Sequence, residues 1–185
     1  MISDNHHSCF QGRHLEFKKT PEGWEYVVRP NAKGCVGILA VNQDRQVVLV
    51  EQFRPPVGCK VIELPAGLAG DIPLQEDEPL ITAAKRELKE ETGYEAQNWD
   101  TLTAGPSSAG MSNEYITLFH ATGLTKMGEG GGTSDEDIKV HLVHMSDVPT
   151  WCADKQAEGY MVDFKIFASM YLANAAEGRG PRLFY

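Results

Sequence analysis

No stretch constrains this chain more than Leu80 to Tyr94. It reads Leu-Ile-Thr-Ala-Ala-Lys-Arg-Glu-Leu-Lys-Glu-Glu-Thr-Gly-Tyr, and nearly every residue up to Thr92 is a good helix former. Pro79 suits a first helical position, where its missing N–H would have no partner anyway, and Gly93 suits the left-handed residue just past the end. A helix over 79–92 is predicted. At roughly 100° per residue, Leu80, Ala83, Ala84 and Leu88 form one stripe, and Glu87 and Glu91 project from its middle. Lys85, Lys89 and Thr82 take the opposite side, while Glu90 lies on the flank within reach of Glu87 and of Arg86 at i,i+4. An unpaired carboxylate drawn out of water costs several kcal/mol, whereas like-charge repulsion at helical spacing costs only roughly 0.2–0.5 kcal/mol per pair. Desolvation decides, and it asks for a cation. Oxygen ligands suit Mg²⁺ or Mn²⁺, with water and phosphate oxygens completing the coordination. The other reading is a charged helix whose acidic side is solvated, as charge runs usually are.

The flanking residues weigh against that second reading. Arg86-Glu87-Leu88-Lys89-Glu90-Glu91-Thr92-Gly93-Tyr94 matches the second half of the Nudix box, and Glu78, eight residues before Arg86, stands where the box requires its earlier Glu. On these residues the chain resembles the Nudix hydrolases. It departs upstream, because the box's first Gly should stand six residues before Glu78 and that position is Ile72. Gly67 is the better counterpart, which implies an insertion around Gly70 to Glu76; loop closure entropy grows slowly enough with length to tolerate it. The resemblance implies an α/β fold, the Nudix α/β/α sandwich with a mixed sheet, preceded by an N-terminal β-ribbon.

Length and charge set outer bounds. The 185 residues fit one domain, or one domain with a small appendage. A net charge of −9 disfavours a nucleic-acid groove or an anionic membrane surface, since both need positive patches. Polyphosphate can still bind an acidic protein if metal ions intervene. The polar start, Met1 to Gly12, does not read as a secretory signal, and no apolar run approaches the ~20 residues that cross a bilayer. Cys9, Cys35, Cys59 and Cys152 lie far apart without paired spacing, so thiols in a reducing cytoplasm are expected rather than a zinc site or disulfide framework.

Residues 1–30 read as a frayed end and a hairpin, with residues 31–185 as the main domain. Leu15 and Phe17 precede a turn at Thr20-Pro21-Glu22-Gly23, after which Trp24, Tyr26 and Val28 alternate with their neighbours. So small a ribbon must pack on something else. Within the family the chain resembles the ADP-ribose and ADP-sugar pyrophosphatase branch. The resemblance implies that the ribbon crosses to the partner of a homodimer, and that Trp24 stacks on the adenine, worth roughly 1–3 kcal/mol. Plain dimer or core packing is the other reading for Trp24.

The strands expected at Cys35 to Val41 and Val47 to Phe53 are joined by a turn at Asn42-Gln43-Asp44-Arg45. Pro55 and Pro56 then end regular pairing and hold the chain extended, presenting Arg54, whose fork fits phosphate oxygens bidentately. In the similar branch such an Arg contacts the pyrophosphate; a surface salt bridge is the alternative. Val61 to Leu64 reads as a strand that breaks at Pro65 and turns at Gly67. The resemblance makes the Ala66 carbonyl a metal ligand, with Glu63 nearby.

Downstream, a strand is expected over Asp100 to Ala104, and Ser108-Ala109-Gly110-Met111-Ser112-Asn113-Glu114 resembles a segment lining the branch's substrate pocket. Met111 and Glu114 are its candidate contacts, although Glu114 equally suits the start of a strand. Ala109 stands where the branch carries Pro. The run Gly128 to Asp137 reads as a mobile, acidic, glycine-rich loop before a strand at Ile138 to Met145. It is either a solvated linker or a lid that brings a general base to the attacking water. The resemblance favours Glu136 as that base, with Asp135 and Asp137 as alternates. His141 and His144 read as structural. Helices are expected around Val148 to Glu158 and Val162 to Ala175, the latter with Phe164, Phe167, Ala168 and Tyr171 as its core stripe.

The resemblance therefore implies a cytoplasmic hydrolase that splits the diphosphate of a nucleoside diphosphate sugar, ADP-ribose first. Glu87, Glu90, Glu91 and the Ala66 carbonyl hold Mg²⁺ or Mn²⁺, Arg86 orients the carboxylates, and Trp24, Arg54, Glu63, Met111 and Glu114 meet the substrate. GDP-mannose or UDP-glucose is the alternative substrate, and a non-catalytic nucleotide-sugar sensor is the alternative class.

Overall fold

The computed structural model describes residues 6–132, 136–176 and 178. The chain opens with three antiparallel strands, β1 (His7–Gln11), β2 (Glu16–Lys19) and β3 (Glu25–Val28), in a sheet of their own. The hairpin between β2 and β3 is the expected one, held by Gly23 N donating to the Thr20 carbonyl and Trp24 N to Thr20 Oγ1. β1 corrects the expectation of a frayed end. All five of its residues are exposed, so it pairs without the apolar alternation that would have marked it.

The main sheet collects β4 (Gly34–Val41), β5 (Gln46–Arg54), β6 (Cys59–Glu63), β7 (Ala66–Ala69), β8 (Tyr94–Pro106), β9 (Tyr115–Lys126), β10 (Lys139–His144) and β11 (Met161–Val162). Its central order is β11-β6-β5-β4-β9-β8, with β10 also paired to β5 and β7 to β4. β4–β9 and β11–β6 are parallel and the other pairs antiparallel, which makes the sheet mixed. The turn before β5 is built by Asn42, whose Oδ1 accepts from Gln46 N at 2.8 Å, while Arg45 takes a left-handed φ of 58°.

Helix α1 (Leu80–Thr92) covers one face. Ala83, Ala84 and Leu88 pack there against Val36, Ile38, Ala40, Val48 and Phe119. Helices α2 (Val148–Ala157) and α3 (Lys165–Ala176) cover the other, where Val148, Cys152, Ile166, Met170 and Ala173 meet Leu39, Leu49, Ile62 and Leu64. The α/β/α sandwich is the one expected. All four cysteines are free thiols, and among the described residues no helix is long and apolar enough to cross a membrane.

Local expectations needed correction in several places. Pro79 precedes α1 in an extended conformation instead of opening it, whereas Gly93 closes it at φ 70°. Pro55 and Pro56 do not stay extended but begin a 3₁₀ turn, Pro55–Val57. Gly67 lies within β7, paired with Val36, and makes no turn. β8 runs 13 residues instead of five, because it starts directly after Gly93 as an edge strand whose polar, exposed positions hide its length. The largest correction is in α3. Phe164 and Phe167 are 70% and 42% exposed and Tyr171 is exposed too, while Ile166, Ser169, Met170 and Ala173 turn inward. Apolar residues occur almost all round this helix, so periodicity could not choose its face, and small residues let it approach the sheet closely. His141 is structural as expected, its Nε2 2.9 Å from the buried Glu51 carboxylate and its ring 5.0 Å from that of Trp151.

Candidate active site

One guanidinium organises the exposed end of the α1 face. Arg86 donates through Nη1 to Glu87 (2.8 Å) and Glu90 (3.2 Å), through Nε and Nη2 to the two oxygens of Glu78 (3.3 and 3.2 Å), and through Nη2 to the Leu68 carbonyl (2.9 Å). Asp71 stands 3.6 Å away. Burial disfavours its charge, yet the Glu78, Glu87 and Glu90 carboxylates raise its pKa and keep it ionised. Glu78 also accepts from Gly70 N at 3.5 Å and is itself buried.

Glu87 and Glu91 face inward, as the helical spacing predicted. Only 2% of Glu91 is exposed, and its Oε2 accepts from Ala66 N at 3.1 Å. Burial pushes its carboxyl up to about 8; the Ala66 N–H and Arg54 pull it down, and Glu87 and Glu136 push it higher. Burial likewise pushes Glu87 up to about 7 against the pull of Arg86, with Glu90 and Asp71 adding to the rise. The backbone of β7 presses on these groups. A Cβ at Gly67 would fall inside contact distance of the Glu87 carboxyl, so only glycine lets strand and carboxylate share that space.

This donor set fits a divalent cation. Its side chains offer only oxygen, two of the carboxylates are desolvated beyond what the protein's own cations offset, and the backbone of β7 at Ala66 and Gly67 lies against them. Among the described residues no three His, Cys, Asp or Glu side chains are gathered as a group that could hold a metal ion by themselves.

Arg54 and Glu63, both expected at the substrate, meet each other: Arg54 Nε donates to Glu63 Oε2 at 2.7 Å. The salt-bridge alternative is thus realised, although Arg54 still acts on the charge of Glu91. Glu136 lies close enough to Glu91 to raise its pKa. Asp135 lies outside the described residues, and Asp137 is exposed.

The remaining candidates gather elsewhere. Trp24, 61% exposed, lines a cavity of about 710 Å³ with Tyr26, Arg29, Ala109, Ser112 and Asn113. Met111 is exposed, and its carbonyl accepts from Val27 N, so the 108–114 segment pairs with the ribbon. Glu114 stands just before β9 and is tied into the ribbon side of the structure. It binds Arg29 Nε at 2.8 Å and the Cys35 thiol at 3.3 Å. Burial pushes its carboxyl up, but hydrogen bonds from Arg29, Ser107 and Cys35 bring it below the usual value.

Sequence reasoning missed Asp71, Arg29 and the root of the glycine-rich loop. Arg29 and Glu114 are 85 residues apart, and no local pattern joins them. The loop was expected to be mobile; residues 133–135 of it lie outside the described residues, and before them Gly131 N donates to the Glu91 carbonyl (2.8 Å) and Gly132 N to that of Glu90 (3.0 Å). The glycine cluster itself was the available signal, for a side chain at Gly93 or Gly130 would collide with the facing backbone.

A family model described as the NUDIX domain matches residues 32–164. The chain is 36% identical over 113 residues to a methanol dehydrogenase activator of Bacillus methanolicus, covering 61% of this chain and 58% of that protein. It is 35% identical over 115 residues to an ADP-ribose pyrophosphatase of Bacillus subtilis, covering 62% and 60%. In both, the match spans less than two thirds of the relative. An ADP-sugar pyrophosphatase of Mus musculus is 31% identical over 183 residues, covering 85% of this chain and 80% of that one. A crystal structure of an ADP compounds hydrolase superposes with a TM-score of 0.68 at 17% identity over 95% of this chain and 94% of that one, a likeness of fold alone. The Arg86-centred carboxylates, the sandwich and these matches agree, and the chain belongs to the NUDIX family alongside ADP-ribose and ADP-sugar pyrophosphatases.

Proposed function

We propose that the protein hydrolyses the diphosphate of a nucleoside diphosphate sugar, with ADP-ribose as substrate and AMP and ribose 5-phosphate as products. The observation that carries this is the pair of inward carboxylates, Glu87 and Glu91, desolvated on one helix face against the β7 backbone. Relatives named for ADP-ribose and ADP-sugar support the substrate class.

Nudix hydrolases generally use divalent metals, and we take Mg²⁺ as the ion here, with Mn²⁺ able to replace it. Glu87, Glu91 and the Ala66 carbonyl would hold it, with Glu90 beside them. Bound there, it would offset phosphate charge and make water a better nucleophile at neutral pH. The protein's own groups do the rest. Arg54, released from Glu63, clamps the diphosphate through its planar fork. Glu136 accepts the proton of the water that attacks one phosphorus in line, and the other phosphate leaves with its bridging oxygen. Arg86 fixes the rotamers of Glu87 and Glu90 and touches no substrate. Trp24 stacks on the base within the ribbon cavity, Met111 borders the bound nucleotide, and Glu114 holds Arg29 in place there.

The ribbon, residues 1–30, is taken to contact a second copy in a homodimer. Its β1 is exposed throughout, and Phe10 is 70% exposed, which suits a surface awaiting a partner. Light scattering behind size exclusion should give twice the chain mass; a monomer at micromolar concentration would remove the dimer.

Hydrolysis is read as phosphate released by an added phosphatase from ADP-ribose, GDP-mannose and UDP-glucose with Mg²⁺ present. ADP-ribose should be consumed fastest. Ala109, where the similar branch has Pro, keeps the other sugars in the panel, and either of them leading would reassign the substrate. Glu91→Gln should lower kcat by at least about 100-fold on the best substrate. Equal rates for wild type and variant would discard Glu91's role, and no turnover of any sugar would leave the sensor reading.

Stability should also follow pH with a defined sign. Glu91 and Glu87 hold protons in the folded protein up to about 8 and about 7, above the ordinary carboxylate value of 4.5. The folded state therefore binds more protons than the unfolded one across that window, so stability falls as pH rises from about 4.5 toward 8. In EDTA, Tm should drop between pH 5 and pH 8, and Mg²⁺ should restore it at pH 8; Glu91→Gln should flatten the slope. A wild-type Tm that rises over this range in EDTA would contradict the burial of these carboxyls.

A further inference from the structure

The last four residues of a helical segment leave carbonyls with no partner inside the helix, and these are ordinarily met by water or a short cap. In α1 the Lys89 carbonyl is met by the Gly93 N–H, and those that follow are met by the end of β9 and the glycine-rich segment after it. The Glu90 carbonyl accepts from Gly132 N at 3.0 Å, that of Glu91 from Gly131 N at 2.8 Å, and that of Gly93 from Met127 N at 2.7 Å. The Thr92 carbonyl accepts from Lys126 Nζ at 2.8 Å. The same ammonium reaches the Glu129 carbonyl at 3.3 Å and lies 4.6 Å from the Tyr94 ring centroid. Lys126 is thus the one side chain among these donors, and it joins the helix end to the loop. A cation there also meets the negative end of the helix dipole.

The segment so fixed, up to Gly132, lies beside Glu136. Ile138 N donates back to the Gly131 carbonyl at 3.3 Å, and a side chain at Gly132 would meet Glu136 Oε2 at 2.6 Å. Glu136 therefore packs over the residue whose N–H is bound to Glu90's own carbonyl. The helix that carries Glu87, Glu90 and Glu91 and the loop that carries Glu136 share a single hydrogen-bonded junction.

We infer that Lys126 is a positioning residue for hydrolysis, holding the Glu136 loop in register with the α1 carboxylates. The inference rests on the proton-accepting role given to Glu136 above. Lys126 is itself exposed, and exposed charge pairs contribute little to global stability. Register, in contrast, is expensive to lose, since small displacements of reacting groups cost large factors in rate.

The test compares wild type, Lys126→Met, which keeps the stem without the charge, and Lys126→Arg. With ADP-ribose and Mg²⁺, Lys126→Met should lower kcat roughly 10-fold with KM changed less than about two-fold, and Lys126→Arg should recover most of the loss. Tm should stay within a few degrees of wild type. Hydrogen exchange at the Gly131 and Gly132 amides should quicken in Lys126→Met and not in Lys126→Arg. Unchanged kcat in Lys126→Met, or a loss confined to Tm, would overturn the positioning role. Should wild type hydrolyse no nucleotide sugar, the functional reading fails by itself and the positioning role falls with it; the exchange measurement still decides whether Lys126 ties loop to helix, with equal exchange in all three proteins refuting the tie.

Discussion

The close approach of α1 to the β7 backbone, with carboxylates caught between them, is the constraint on which this structure depends. Ala83 and Ala84 are fully buried, and residues this small let the helix axis come near the sheet. Gly67 removes the last obstacle beneath Glu87. The approach excludes water from Glu87 and Glu91, and that exclusion, more than any neighbouring charge, raises their pKa values. A side chain at residue 67 would displace the Glu87 carboxyl from this position.

Strand alternation separates this chemistry from a second polar network. On β5, Val47 and Leu49 face the α2–α3 core, so Glu51 faces the same way, and there it binds Lys60 at 2.7 Å and His141 at 2.9 Å. Val48 faces α1, and Arg54 follows its parity. On β6 and just past its end, Ile62 and Leu64 belong to the α2–α3 core, which leaves Glu63 on the α1 side with Arg54. The Glu51 network is fully paired within one sandwich layer and serves packing. The Arg54–Glu63 pair is 40% and 14% exposed at its side chains, so solvent reaches the guanidinium.

Much of this was legible in the sequence wherever a period had a single meaning. The α1 spacing put Glu87 and Glu91 inward and Glu90 on the flank, and side-chain exposures of 13% for Glu87 and 39% for Glu90 follow that order. The Gly93 cap and the β4 and β5 strands were equally readable. Where a pattern was degenerate it misled. α3 is apolar on nearly every side, and the wrong stripe was chosen; β1 and much of β8 are exposed, so they carried no alternation to find. Contacts between distant segments left no trace at all. The partners of Glu114, Arg29 and Cys35, come from the ribbon junction and β4, and nothing in its own stretch of sequence pointed to them.

Charge accounting explains why a site with an arginine at its centre still calls for another cation. Glu78 is buried and takes two of the Arg86 N–H groups, so the guanidinium's charge is first needed to hold that carboxylate in the interior. Glu87 and Glu90 share the Nη1 side of the same group, and Asp71 stands further off. Glu91 receives a single backbone N–H from Ala66. One positive charge thus serves three hydrogen-bonded carboxylates and leaves the most deeply buried one, Glu91, without an ion pair of its own among the described residues. At neutral pH such a group must either keep its proton or gain a counter-ion. The first choice silences the carboxylate and the second turns it into a ligand, which makes occupancy of this helix face by a divalent cation the state in which all of its acids can be ionised together.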